Sequence, residues 1–187
     1  MKKNSKELKI ITTLHGTDIT LVGLEPSFLP LVKFSIEESD GVTAVSRFLK
    51  EKTITNYQIN KEIEVIYNFI DPITFKPGKC CEFKKHIAPN NEKVLVHTSN
   101  FRQVKRVPDA IKAFEIVRKE IPSKLLLVGD GPDRGECERL ARDLNLKNDV
   151  VFLGKQDGLV EILSSSDLFI MPSQSESFGL AALEAMA

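Results

Sequence analysis

KVLVHTSNFRQVKRVPDAIKAFEIVRKEIPSKLLLV, residues 93–128, decides the fold class. Lys93 to Thr98 and Lys124 to Val128 are short runs rich in valine and leucine, of strand length and without the alternation of a half-exposed strand. Between them Ala110, Ile111, Phe114, Val117 and Ile121 recur at helical spacing and form one apolar stripe. Pro108 and Asp109 mark the start of that helix, where a proline loses no hydrogen bond and an acid complements the positive helix end. A buried strand, a helix and a second buried strand in this order make a β-α unit feeding a parallel sheet.

The same alternation runs outward in both directions. Further strands are expected at Leu8 to Leu14, Gly41 to Val45, Glu64 to Tyr67, Val150 to Leu153 and Leu168 to Met171. Cys137, Leu140, Ala141 and Leu144 form a second helical stripe after Pro132 and Asp133, which puts Cys137 in the core. The fold class is therefore α/β. From Asp71 to Glu92 the sequence DPITFKPGKCCEFKKHIAPNNE has three prolines, a glycine and no sustained period, which places a boundary there. The expected organisation is a first domain over 1–75, a linker over 76–92 and a second domain over 93–187. Both domains are short for complete doubly wound domains.

Composition narrows the function classes. Lys plus Arg and Asp plus Glu both number 26, so no net field exists to hold nucleic acid or an anionic membrane surface. The three cysteines, two of them adjacent at Cys80 and Cys81, fit neither a disulfide framework nor a zinc or redox C-x-x-C, which points to a reducing cytoplasm. The start MKKNSKELKIITTLHG has no apolar core of a signal peptide, and no stretch reaches the roughly 20 apolar residues of a membrane span.

The chemistry concentrates in MPSQSESFGLAALEAMA, residues 171–187. A strand end leads through a small-residue loop to Phe178-Gly179, expected to open an alanine-rich helix near Ser177 and to place Glu184 just over two turns in. Ligands of open α/β sheets collect at the carboxyl ends of strands, where helix starts offer free N–H groups to a phosphate. Glu176 reads equally as first-turn charge, and Glu184 as a solvated face residue. Glu184 is nevertheless the sole acid in LAALEAMA, which favours a partner such as a sugar hydroxyl. Gly129-Asp130-Gly131-Pro132 departs from a dinucleotide fingerprint because Arg134 stands where a third glycine belongs, so a nicotinamide or flavin site is rejected. Nor does any neighbouring acid complete an oxygen cage around Asp130 for a metal.

Glu176 through Glu184, E-S-F-G-L-A-A-L-E, resembles the E-x7-E motif of retaining GT-B glycosyltransferases of the sucrose-synthase-like family. TLHGTD (13–18), VTAVS (42–46), VIYNFID (65–71), SNFRQVKRV (99–107), VGDGPDR (128–134) and FLGKQD (152–157) stand in that family's order. The resemblance implies a GT-B fold of two Rossmann-like domains, both incomplete here, and no metal or other cofactor. It implies UDP-N-acetylglucosamine as donor and L-malate as acceptor, in the cytoplasm and in the service of bacillithiol synthesis. A homo-oligomer stays open.

Carried over to these residues, the resemblance gives Glu176 the donor sugar hydroxyls and Glu184 the ribose. Ser177, Phe178 and Gly179 lie in the same donor-binding motif. Lys105 with Arg102 would neutralise the departing diphosphate, a charge that develops only as the glycosidic bond breaks. The family's commoner arginine stands where this chain has Asn100. His15 would lie near the donor sugar, with Gly16 and Asp18 in its loop. Arg47 is the candidate for the malate carboxylate. Asn68 takes the place of a hinge asparagine, although Phe69 replaces the usual glycine, and Lys155 and Gln156 would border the uracil. The plainer readings are a solvated basic turn at 102–106, a structural His15 and a surface Arg47.

The family's opening strand and glycine-rich loop do not precede Leu8, and its usual continuation does not follow Ala187. The expectation is a chain shortened at both ends, with little transferase activity and marginal stability. A related transferase with a cell-wall or lipid-linked acceptor, a non-catalytic nucleotide-sugar-binding fragment and a UDP-sugar epimerase are the competing readings.

Overall fold

The computed structural model describes residues 8–16, 19, 25–76, 78 and 81–187. Asp18 and Cys80, singled out above, lie outside the described residues. Two compact units emerge: residues 1–69 with Glu176–Phe178, and residues 70–175 with 179–187.

In the first unit, β1 (Ile11–Leu14), β2 (Gly41–Ala44) and β3 (Glu64–Val65) form a parallel sheet in the order β1-β2-β3. The expected strand from Leu8 is shortened because its partner begins only at Gly41. The N–H of Ile10 is taken instead by the Asp40 carboxylate at 2.8 Å. Helix α1 (Leu29–Glu38) was hidden from sequence periodicity by two apolar faces: Leu29, Val32 and Ile36 face the core, whereas Leu31 and Phe34 are exposed. Helix α2 (Arg47–Tyr57) packs Leu49 and Tyr57 on Leu14, Val42 and Ala44. The Tyr57 hydroxyl donates to the Ile19 carbonyl at 3.2 Å, which lets its polar tip be buried.

In the second unit, β4 (Lys93–Thr98), β5 (Ser123–Val128), β6 (Val150–Gly154) and β7 (Leu168–Phe169) run parallel in the order β6-β5-β4-β7. Side chains alternate between the two faces of a strand, and here both faces are core. Leu95, Leu125 and Leu127 pack under α4 (Val107–Glu120) and α5 (Arg134–Asp143), while Val94, Val96, Leu126 and Val128 pack with Ile162 of α6 (Leu159–Ser164). Cys137 is buried in the first of these layers, and burial pushes its thiol up to about 11.

The segment 76–92, read from sequence as a linker, belongs to the second unit, which begins at Ile70. It contains helix α3 (Cys81–Ile87), whose Phe83 and Ile87 join Ala88 against the second core layer. Two turns are too short to display a period, so proline and lysine dominated the sequence reading. Asp167 anchors this region by accepting from Lys84 Nζ at 2.7 Å, Lys93 Nζ at 3.2 Å and the Val94 N–H at 2.8 Å. Burial alone would raise its carboxyl, but these donors outweigh burial and hold it below the ordinary range.

Candidate functional site

The loops at the carboxyl ends of the strands carry the candidate residues, and each unit gathers its own set. In the first unit His15 is exposed directly after β1, and Gly16 follows with φ +142°. A Cβ on Gly16 would lie 2.7 Å from both Cβ and Oγ of Ser177, so only glycine lets the two segments approach this closely. Ser46 caps α2 by accepting the Leu49 N–H and donates to the Ser177 carbonyl at 2.6 Å. Arg47 is the exposed first residue of that helix. Phe178 packs on this unit's core, with its ring centroid 6.3 Å from that of Tyr67 beside the half-buried Asn68. Phe69 is 87% exposed, so the position that replaces the family's glycine carries its ring into solvent.

In the second unit the β4 loop turns through a single 3-10 turn, Gln103–Lys105, in which the Lys105 N–H donates to the Arg102 carbonyl at 2.7 Å. Arg102 is the extended residue directly before this turn and Lys105 the last residue in it, so the turn carries a cation at each end. Arg102 is exposed and Lys105 half-buried. The loop after β7 is tied to this turn: the Gln174 N–H donates to the Val104 carbonyl at 2.9 Å. Lys155 and Gln156 are exposed after β6, with Gln156 Nε2 donating to the Leu153 carbonyl at 2.5 Å.

Helix α7 (Leu180–Met186) starts later than expected. Gly179 has φ +85°, a conformation outside the helical range, so Ser177 and Phe178 precede the helix and Glu184 is its fifth residue, just over one turn in. Glu184 lines a cavity of about 240 Å³ with Phe75, Lys76, Val160, Leu163 and Ser164. Burial raises its carboxyl above the ordinary value, and no ion pair offsets this among the described residues. A half-buried acid with unfilled acceptor capacity in a cavity can receive hydroxyl donors from a ligand.

A profile described as glycosyl transferases group 1 matches residues 81–187, and one described as glycosyltransferase family 4 matches residues 2–73. The chain belongs to the group 1 glycosyl transferases.

Among the relatives of this group 1 chain is N-acetyl-alpha-D-glucosaminyl L-malate synthase of Bacillus anthracis, 48% identical over 183 residues that make up 97% of this chain and 48% of that protein. The crystal structure of Anabaena HepE in complex with UDP and glucose superposes with a TM-score of 0.79 at 22% identity, over 95% of this chain and 50% of HepE. Sucrose-phosphate synthase of Thermosynechococcus elongatus superposes with a TM-score of 0.78 at 23% identity, over 94% of this chain and 47% of the synthase. At these identities the structural likeness is one of fold, and the fold is GT-B. The chain spans about half the length of the curated relatives it matches.

For a group 1 glycosyl transferase chain, sequence reasoning named the loops but missed what orders them. Ser46, quoted only as part of VTAVS, was given no role of its own. His97, inside VLVHT, also escaped attention; a polar ring in an otherwise apolar buried strand was the signal available. Among the described residues no group of three His, Cys, Asp or Glu side chains could hold a metal ion, and no helix is long and apolar enough to cross a membrane.

Proposed function

We propose that this chain serves a retaining transfer of N-acetylglucosamine from UDP-N-acetylglucosamine to L-malate in the cytosol. The observation that carries the proposal is the 48% identity, over nearly the whole chain, to a Bacillus anthracis protein named for that product. The geometry supports a nucleotide-sugar ligand through two features of the second unit: a cationic turn at Arg102 and Lys105, and a partly desolvated Glu184 in a cavity.

In this reading Arg102 and Lys105 stabilise the diphosphate as the bond to the sugar breaks, doing without a metal ion. Glu184 accepts from the ribose hydroxyls, with Lys155 and Gln156 bordering the uracil. Glu176 and His15 contact the sugar, and Arg47 holds the malate carboxylate through its fork of N–H donors. No side chain serves as a covalent nucleophile; a donor phosphate oxygen takes the proton from the malate hydroxyl as that hydroxyl attacks.

Calorimetric titration of the chain with UDP and then UDP-N-acetylglucosamine tests the donor half. Binding weakened about tenfold or more by Lys105→Ala and by Glu184→Ala supports it; no binding by a folded chain overturns it. Mass spectrometry of a mixture with UDP-N-acetylglucosamine and L-malate tests the acceptor half. Release of UDP and a free altered sugar without any need for malate would replace this reading with an epimerase.

A further inference from the structure

His97 is fully buried near the end of β4, on the face that also carries Leu95. Valine or phenylalanine would fill such a place without polar atoms, whereas a buried imidazole is tolerated only if both nitrogens find partners. Here both do. Nδ1 lies 2.8 Å from the Ile170 carbonyl, which can only accept, so Nδ1 carries the proton. Nε2 of the neutral ring then accepts from the Ser99 hydroxyl at 2.8 Å. The Ser99 oxygen in turn accepts the Phe101 N–H at 3.3 Å.

This relay stands where the sheet stops. The paired residues of β4 and β7 end at Val96 and Phe169, and the Ile170 N–H still reaches the Val96 carbonyl at 2.8 Å. One residue further, the imidazole replaces the backbone as the link between the two chains. It therefore orders the first residues of two loops at once: Ser99 onward, which leads to Arg102 and Lys105, and Ile170 onward, which returns to Val104 through the Gln174 N–H.

The residue placed by the relay is under strain. Phe101 has φ +39°, a region unfavourable to a bulky side chain, and it directly precedes Arg102. Three contacts hold it there: the Ser99 oxygen on its N–H, the Asp133 N–H on its carbonyl at 3.0 Å, and its buried ring, 6.4 Å from the imidazole. Two of the three involve the His97 assembly.

We infer that His97 is a positioning residue for the donor diphosphate, fixing through Ser99 and Phe101 the turn that presents Arg102 and Lys105. The inference rests on the donor reading above and adds a residue that touches no ligand. It predicts a loss confined to the phosphate that UDP carries and UMP lacks.

The test compares UDP and UMP affinity by calorimetry in the wild-type chain and in His97→Phe, His97→Gln and His97→Asn, with thermal unfolding as the check on folding. His97→Phe keeps the volume and loses both hydrogen bonds; it should weaken UDP about tenfold while UMP changes less than about twofold. His97→Gln can still reach Ser99 and should recover most of the UDP affinity, whereas His97→Asn can reach only Ile170 and should not. If His97→Phe does not fold, the Gln and Asn variants decide by the same ratio. Unchanged UDP affinity in folded variants, or parallel losses for UDP and UMP, would overturn the inference alone. A folded wild-type chain that binds neither nucleotide overturns the donor reading and this inference with it.

Discussion

The hydroxyl of Ser46 donates to the carbonyl of Ser177, 131 residues further along the chain, while the same oxygen accepts the N–H of Leu49. One side chain thus caps α2 and fastens the segment that carries Glu176. Ser46→Ala removes both bonds and should cost about 1–2 kcal/mol, the sum of a lost cap and an unmet carbonyl. Urea midpoints measure this, and Ser46→Thr should retain most of the wild-type stability. An alanine variant within about 0.3 kcal/mol of wild type would mean that water replaces the hydroxyl at both places.

Gly129 admits no side chain. A Cβ there would stand 1.8 Å from the Ser99 carbonyl oxygen, and its φ of +118° already excludes most residues. Gly129→Ala should destabilise the second unit by more than about 3 kcal/mol or abolish folding, seen as a lost or early thermal transition. A variant that melts like wild type would show that the loop carrying Ser99 can retreat.

Asp167 makes stability depend on acid. Its folded pKa lies below the unfolded value near 3.9, so its contribution is complete above that value and disappears as pH falls through the folded pKa. Asp167→Asn should cost about 1 kcal/mol at pH 7, a figure discounted for the exposure of Lys84 and Lys93. The gap between variant and wild type should close as the solution is acidified below about pH 4. A gap that persists at pH 2 would assign the effect to packing.

Glu184 works in the opposite sense. Burial raises its carboxyl, so ionisation is easier in the unfolded chain, and the native state loses stability as pH rises through the unfolded value near 4.3. Glu184→Gln should therefore be slightly more stable than wild type at pH 7 and equal to it in acid, yet bind UDP about tenfold less well. A stability gain without any loss of UDP binding would detach Glu184 from the ribose.

Strands were legible because the second unit buries both faces of its sheet, which writes β5, and β4 up to His97, as largely apolar runs. The helical stripes at Ala110–Val117 and Cys137–Leu144 were legible for the same reason: one face of each meets that sheet. What escaped were features set by long-range geometry. The late start of α7 depends on the φ of Gly179, the length of β1 on where Asp40 turns, and the importance of His97 on a carbonyl 73 residues away. Neither composition nor periodicity carries these.

The pairing of Leu95 with Leu168 also has a kinetic side. β4 and β5 are joined by one crossover and can meet early, but β7 reaches β4 only after residues 99–167 have been made and folded between them, and it then offers only two paired residues. The strand that launches the Pro172–Gly179 segment should be the last to dock during folding and the first to part from the native sheet. Amide protons of Phe169 and Ile170 would then exchange faster than those of Leu125–Leu127 at the sheet centre. A nucleotide that bridges the loops after β4 and β7 would slow that exchange by closing the chain's own latest seam.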